Sequence, residues 1–130
     1  MVFKITALYA LPLALLGLVL WFRVTKMRAE LGVSIGNADN PSLHERIRQH
    51  GNFIEWTPMV LLLMVIAEGN GAGAMWLHAA GALLLLGRLV HPFGLKAANA
   101  SHPLRYVGNT ASLLATLGAM GALVVTSKLF

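Results

Sequence analysis

The chain has 130 residues, of which 57% are hydrophobic and only 12% are charged. A soluble domain carries about twice that share of charged residues, so the composition is typical of a membrane protein. Cysteine is absent, which excludes disulfides, thiolate metal sites and a cysteine nucleophile, and the net charge of +5 is not clustered as a nucleic-acid-binding patch.

Four apolar segments follow one another along the chain, each close to the length of about 20 residues that crosses a bilayer as a helix. The first contains Pro12, which membrane helices tolerate, and it lacks the cleavage site of a signal peptide. The second follows a polar turn in which Ser42 and Glu45 resemble a capping box. The third follows the helix-breaking sequence Gly-Asn-Gly at 69–71, and the fourth follows Pro103. The predicted spans are about 5–28, 42–68, 72–95 and 104–126, within one domain covering 1–130.

Basic residues predict the orientation of these spans. Eight of the ten Lys and Arg residues flank the connections between spans one and two and between spans three and four, whereas Lys4 and Lys128 lie at the opposite ends. By the positive-inside rule, both long connections are cytoplasmic and both termini are outside. We therefore predict an all-α integral membrane protein, a bundle of four transmembrane helices with up-down topology.

Arg48, Asn52 and Glu55 form the strongest functional pattern in the sequence. Their spacing places them within roughly 60° of one another on a helix, as a polar stripe about 10 Å long. The helix continues from Trp56 to Ala67 without a charge. Ionisable side chains that enter a bilayer are costly and by default mark a site. The same groups could instead form a structural ion pair at the helix end, and the sequence leaves both interpretations open.

The stretch from Arg48 to Trp56 reads Arg-Gln-His-Gly-Asn-Phe-Ile-Glu-Trp. It resembles the Arg-x-x-x-Asn-x-x-Glu-aromatic signature of the MAPEG family, the membrane-associated proteins in eicosanoid and glutathione metabolism, and most of all its bacterial members similar to microsomal glutathione transferases. The resemblance extends over nearly the whole chain and includes Gly87-Arg88, His91 and Gly94 near the end of span three. It implies a homotrimer in a bacterial inner membrane, with glutathione held near the cytoplasmic side between neighbouring subunits.

By motif position, the resemblance implies that glutathione is bound by Arg48, Asn52, Glu55, Trp56, Arg28 and His91. Arg48 would hold a carboxylate of glutathione, Glu55 would pair with its amino group, and Asn52 would orient the peptide. Arg28, late in the first span, corresponds loosely to a second carboxylate-binding arginine of the family. His91 falls where the leukotriene-forming branch has a tyrosine.

A thiol reacts as its thiolate, and a nearby guanidinium stabilises that anion. Since the chain has no cysteine, the thiol would come from the bound glutathione. Arg105, at the start of span four, resembles the thiol-activating arginine of the family and is the predicted catalytic residue. Arg88 competes for this role, because the spacing from Gly94 to Arg105 is longer than in eukaryotic members. The expected activity is that of a glutathione transferase and/or peroxidase acting on lipophilic electrophiles or hydroperoxides from the membrane lipid.

Two other functions remain open at this point. In the resembling family, the eukaryotic synthases carry tyrosines where this chain has Trp56, His91 and Leu95. Their loss argues against the leukotriene-forming branch and leaves a non-catalytic binding or scaffold protein with a residual pocket as an alternative to the enzyme. A small four-helix transporter is the weaker alternative, since it would need a carboxylate deep inside a span. Trp56 could also be an interfacial anchor, and Arg28 and Arg105 could be charges that set the topology. No pair of histidines has the spacing of a helical zinc site, so no metal is expected.

Overall fold

The computed structural model describes residues 3–127, and its regular elements in this range are long helices. Each helix is long and apolar enough to cross a membrane. The predicted all-α, four-span fold is confirmed, and the helix ends differ from the predicted spans by at most three residues. Lys128, which enters the predicted topology, lies outside the described residues. The helices are α1 (Lys4–Leu31), α2 (Pro41–Gly69), α3 (Ala74–Gly94) and α4 (Pro103–Ser127).

Hydrogen bonds at both ends of the bundle show that α1 and α2 are antiparallel. At one end, the carboxylate of Glu68 accepts from the backbone N–H groups of Ile5 and Thr6, each at 2.9 Å. These N–H groups have no partner within α1, and the positive end of the helix dipole favours an anion there. At the other end, Nη1 of Arg46 donates to the carbonyl oxygen of Arg23 at 3.1 Å. The start of α2 therefore lies beside the end of α1.

The helix ends are set by local chemistry. Oδ1 of Asn40 accepts from the backbone N–H of Leu43 at 3.0 Å, so Asn40 is the N-cap of α2. The predicted capping box that begins at Ser42 is wrong, because the helix starts earlier and Ser42 lies within its first turn. α1 ends at Leu31 and is capped by Gly32, whose φ of +64° is in the left-handed region that glycine adopts without a steric cost.

All four helices contribute to one apolar core, and α3 and α4 pack most extensively. The α3–α4 contact depends on glycine: a β-carbon on Gly108 would lie 2.8 Å from the carbonyl oxygen of Gly87 and 2.9 Å from Cα of His91. Small residues let membrane helices approach this closely. The core is formed by Leu13, Leu20, Phe53, Val60, Met64, Ala67, Leu77, Ala80, Leu84, Ala115 and Ala119.

Gly108→Ala should destabilise the protein, because the new methyl group would meet backbone atoms of α3 that cannot move independently of the helix. We expect the free energy of unfolding in detergent micelles to fall by about 1–3 kcal/mol. Gly118→Ala is the matched control, since a β-carbon at Gly118 would have no atom of another helix within 4 Å. Equal thermal stability of the two variants would contradict the importance of the α3–α4 contact.

Candidate functional site

The polar stripe at the start of α2 is a hydrogen-bonded cluster in the structure. Nη2 of Arg48 lies 3.2 Å from Oε1 of Glu55, and Nδ2 of Asn52 donates to Oε2 of Glu55 at 3.4 Å. The three side chains share one face of the helix, as their spacing predicts. The side chains of Arg48 and Glu55 are 48% and 51% exposed. Both charges are therefore accessible from outside the chain, and they neutralise each other.

A buried arginine of α3 extends the polar stripe into the bundle. Arg88 is 1% exposed; its Nη1 donates to Oδ1 of Asn52 at 2.7 Å, and its Nη2 donates to the carbonyl oxygen of Gly108 at 2.9 Å. None of the ion pairs among residues 3–127 includes Arg88. Neutral dipoles alone therefore stabilise its charge. Because a buried charge without a counter-ion is costly, this guanidinium points to a functional role.

The hydrogen bond from Arg88 determines which way the side-chain amide of Asn52 faces. A guanidinium has only donors, and a carboxylate has only acceptors. Oδ1 of Asn52 must therefore face Arg88, and Nδ2 must face Glu55. A molecule that approaches the polar stripe meets a cation at Arg48, an N–H donor at Asn52 and an anion at Glu55. This order of groups suits a zwitterionic ligand with a carboxylate, a carbonyl and an amino group.

Several buried polar atoms have no hydrogen-bond partner among the described residues. Most of them lie in the half of the bundle that contains the polar stripe, and His91, which is 2% exposed, lies one turn after Arg88 on the same face of α3. The atoms are Nε of Arg88, Nε2 of His91, Oγ1 of Thr57, Oε1 of Gln49, Oδ1 of Asn109 and Nη1 of Arg28. Since buried polar groups normally have partners, this concentration favours a place for a polar ligand or ordered water.

The remaining predicted site residues are not bonded to the polar stripe. Arg105 is half-buried, and its Nη1 donates to the carbonyl oxygen of Ala100 in the α3–α4 connection at 2.9 Å. Arg28 and Trp56 are half-buried and make no side-chain hydrogen bond within residues 3–127. Of the two arginines considered for thiol activation, Arg88 is the one that the structure joins to the polar stripe.

Sequence analysis did not single out two buried polar residues of α2, Gln49 and Thr57, which are 1% and 4% exposed. A signal for them was present. Together with Phe53 and Val60 they recur at helical spacing, so they belong to the buried face of α2. A polar residue in that series needs a partner from another helix, and the spacing alone does not say which one.

The fold and the site together define an integral membrane protein that crosses the bilayer several times and carries a polar cluster at one end of its helical bundle. The model of the MAPEG family matches residues 6–125, and the chain belongs to that family. The family membership confirms the resemblance that the motif around Asn52 indicates.

Two similar relatives are both named inner membrane protein YecN. The protein from Escherichia coli strain K12 is 39% identical over 90 residues, which covers 69% of this chain and 69% of that protein. The protein from a second Escherichia coli strain matches with the same identity and coverage. No solved structure shows significant similarity to the chain.

Arg88→Met should not destabilise the protein, because it replaces a buried charge without a counter-ion by an apolar side chain of similar length. We expect the free energy of unfolding in micelles to stay the same or to rise, by as much as about 4 kcal/mol. Leu84→Ala, one turn earlier at a fully buried position, is the control and should lower it by about 2–5 kcal/mol. A loss in Arg88→Met as large as that in Leu84→Ala would make Arg88 a structural residue.

Proposed function

We propose that the protein is a glutathione-binding membrane enzyme, a glutathione transferase and/or peroxidase that acts on lipophilic electrophiles. The observation that carries this proposal is the chain of hydrogen bonds from Arg88 through Asn52 and Glu55 to Arg48, which ends in two accessible, opposite charges. Membership of the MAPEG family, which includes glutathione transferases, supports it.

The geometry of the polar stripe supports a binding mode for glutathione. A glutathione carboxylate would bind Arg48 as a bidentate partner, and the amino group would bind Glu55. The ion pair between Arg48 and Glu55 would thus be replaced by two ion pairs with the ligand. Nδ2 of Asn52 would donate to a peptide carbonyl. Trp56 follows the stripe on α2, and its exposed part would cover the peptide.

Three further residues would complete the glutathione site. Arg28 carries a buried guanidinium nitrogen without a partner among the described residues, which suits it to a second carboxylate. His91, one turn after Arg88 on α3, would contribute through Nε2, which likewise has no partner there. Because the stripe lies open on one side of the chain, a neighbouring subunit of a homotrimer would supply the opposite wall.

The reaction needs a thiolate at the edge of the bilayer. The thiol proton of glutathione would leave to water at the open mouth, and a guanidinium, either Arg105 or Arg88, would stabilise the sulfur anion. In the transferase reaction, the thiolate attacks an electrophilic carbon, a C–S bond forms and the leaving group departs with its electron pair. In the peroxidase reaction, two glutathione molecules are oxidised to the disulfide while the hydroperoxide is reduced to an alcohol and water.

The proposed location is a bacterial inner membrane, by analogy with the relatives named for it. Both termini would face the periplasm, and the connections α1–α2 and α3–α4 would face the cytoplasm, where glutathione is available. This orientation follows from the basic residues near the polar stripe. The lipophilic co-substrate would then enter the site laterally from the lipid bilayer, and glutathione would enter it from the aqueous cytoplasm.

Glu55→Gln tests the binding mode. It should weaken glutathione binding about tenfold, because the ammonium group loses a charged acceptor. The dissociation constant would be measured by calorimetry with the full-length protein in nanodiscs. Glu30→Gln is the matched control, since Glu30 forms an exposed ion pair with Lys26 on α1 and has no hydrogen bond to the polar stripe. Unchanged affinity in Glu55→Gln would exclude Glu55 as a ligand of the amino group.

Arg105→Ala and Arg88→Met together test the chemistry. The thiolate of bound glutathione absorbs in the far ultraviolet, and this absorbance should disappear in whichever variant lacks the activating guanidinium, while conjugation to chlorodinitrobenzene falls about 100-fold or more. Binding without any thiolate in the unmodified protein would favour the non-catalytic scaffold. No binding at all would leave the transporter as the alternative.

A further inference from the structure

A second polar cluster on α2 connects it to the end of α3. Gln49 is 1% exposed, and its Nε2 lies 2.9 Å from the carbonyl oxygen of Pro92, 3.1 Å from that of Leu95 and 3.2 Å from Oε1 of Glu45. The last carbonyl groups of a helix have no partner inside it. The side-chain amide of Gln49 supplies that partner for α3, so it fixes the end of α3 against α2.

Glu45 continues this connection into the segment between α3 and α4. Its Oε1 accepts from Nζ of Lys96 at 3.0 Å, and its Oε2 accepts from the backbone N–H of Ala97 at 3.1 Å. The Glu45 side chain is 22% exposed, which makes this ion pair less solvated than the one in the polar stripe. We name Glu45 and Gln49 the clasp, since together they contact Pro92, Leu95, Lys96 and Ala97, where α3 ends and the turn that Lys96 and Asn99 close begins.

The clasp leads to Arg105 through the same segment. Lys96 and Asn99 form a backbone bridge, and the carbonyl oxygen of the next residue, Ala100, accepts from Nη1 of Arg105. On the other side, a β-carbon on Gly94 would overlap the backbone nitrogen of Arg105, so the start of α4 lies directly on the end of α3. The position of the Arg105 guanidinium therefore depends on the segment that the clasp holds.

We propose that Glu45 and Gln49 are positioning residues, which fix the α3–α4 connection and thereby the guanidinium of Arg105 relative to the polar stripe. This inference rests on the proposed function, with Arg105 as the thiol-activating group. One helix, α2, carries both the polar stripe and the clasp, on adjoining parts of its surface. It therefore sets the position of bound glutathione and the position of Arg105 at once. Arg105 has no hydrogen bond of its own to the polar stripe. Arg88 links Asn52 to the backbone of α4 at Gly108, and the clasp adds a second link, to the segment whose Ala100 carbonyl accepts from Arg105.

Glu45→Gln removes the charge that holds Lys96, and Lys96→Met removes the same interaction from its other end. In both variants, we expect the glutathione dissociation constant to change by less than about threefold, because the polar stripe is untouched. The pH at which half of the bound glutathione is present as thiolate should rise by about one unit. Such a rise corresponds to a tenfold loss of thiolate stabilisation. The double variant should shift no further than either single one, since both remove one interaction.

Glu30→Gln is again the matched control and should titrate like the unmodified protein. Hydrogen exchange of the Ala97 amide provides a readout without glutathione, and it should be faster in Glu45→Gln, because that N–H loses its charged acceptor.

Fast exchange of the Ala97 amide with an unchanged thiolate titration would overturn the inference, as would a loss of glutathione affinity as large as the loss of thiolate. An unmodified protein that binds glutathione without a thiolate, or does not bind it, would instead overturn the proposed function, and this inference with it.

Discussion

The buried guanidinium of Arg88 is the constraint on which the polar half of this bundle depends. It is a permanent charge inside an apolar helix bundle, and its two partners are the side-chain oxygen of Asn52 and the backbone oxygen of Gly108. These partners come from α2 and α4, so one side chain of α3 is hydrogen-bonded to two other helices. A dipole provides weaker stabilisation than a carboxylate, and the guanidinium therefore tolerates little displacement from either oxygen.

Close packing of α3 and α4 makes this arrangement possible. The carbonyl oxygen of Gly108 is within reach of Arg88 because Gly87 and Gly108 let the two backbones approach each other. The same oxygen also accepts from the hydroxyl of Ser112 at 2.9 Å, which a carbonyl with two lone pairs allows. Helix packing and electrostatics are thus coupled at one backbone group. A larger residue at either glycine would separate the cation from its acceptor as well as the helices from each other.

The sequence predicts the features that depend on spacing along one helix. Hydropathy gives the four spans, and the turn of about 100° per residue places Arg48, Asn52 and Glu55 on one face. Contacts between helices depend on how each helix is rotated and how far it is shifted along its axis, and spacing determines neither. The bond between Arg88 and Asn52 joins positions 36 residues apart, so it was not predictable by spacing. The capping of α1 by Glu68 and the hydrogen bonds of Gln49 to the end of α3 are also contacts between helices, so spacing along one helix does not predict them either.

The energetics of the polar stripe favour a binding role over a structural one. An ion pair as exposed as Arg48–Glu55 stabilises a protein by about 0–1 kcal/mol, and a buried arginine without a counter-ion is destabilising. Together these charges therefore do little to hold the bundle, in which apolar packing and the α3–α4 contact suffice. A zwitterionic ligand changes the balance, because it brings a carboxylate to Arg48 and an ammonium group to Glu55, two charges that otherwise pair with each other. The polar stripe is thus poorly suited to stabilising the fold. It is well suited to a change of partners, in which Arg48 and Glu55 release each other and bind the charged groups of a ligand.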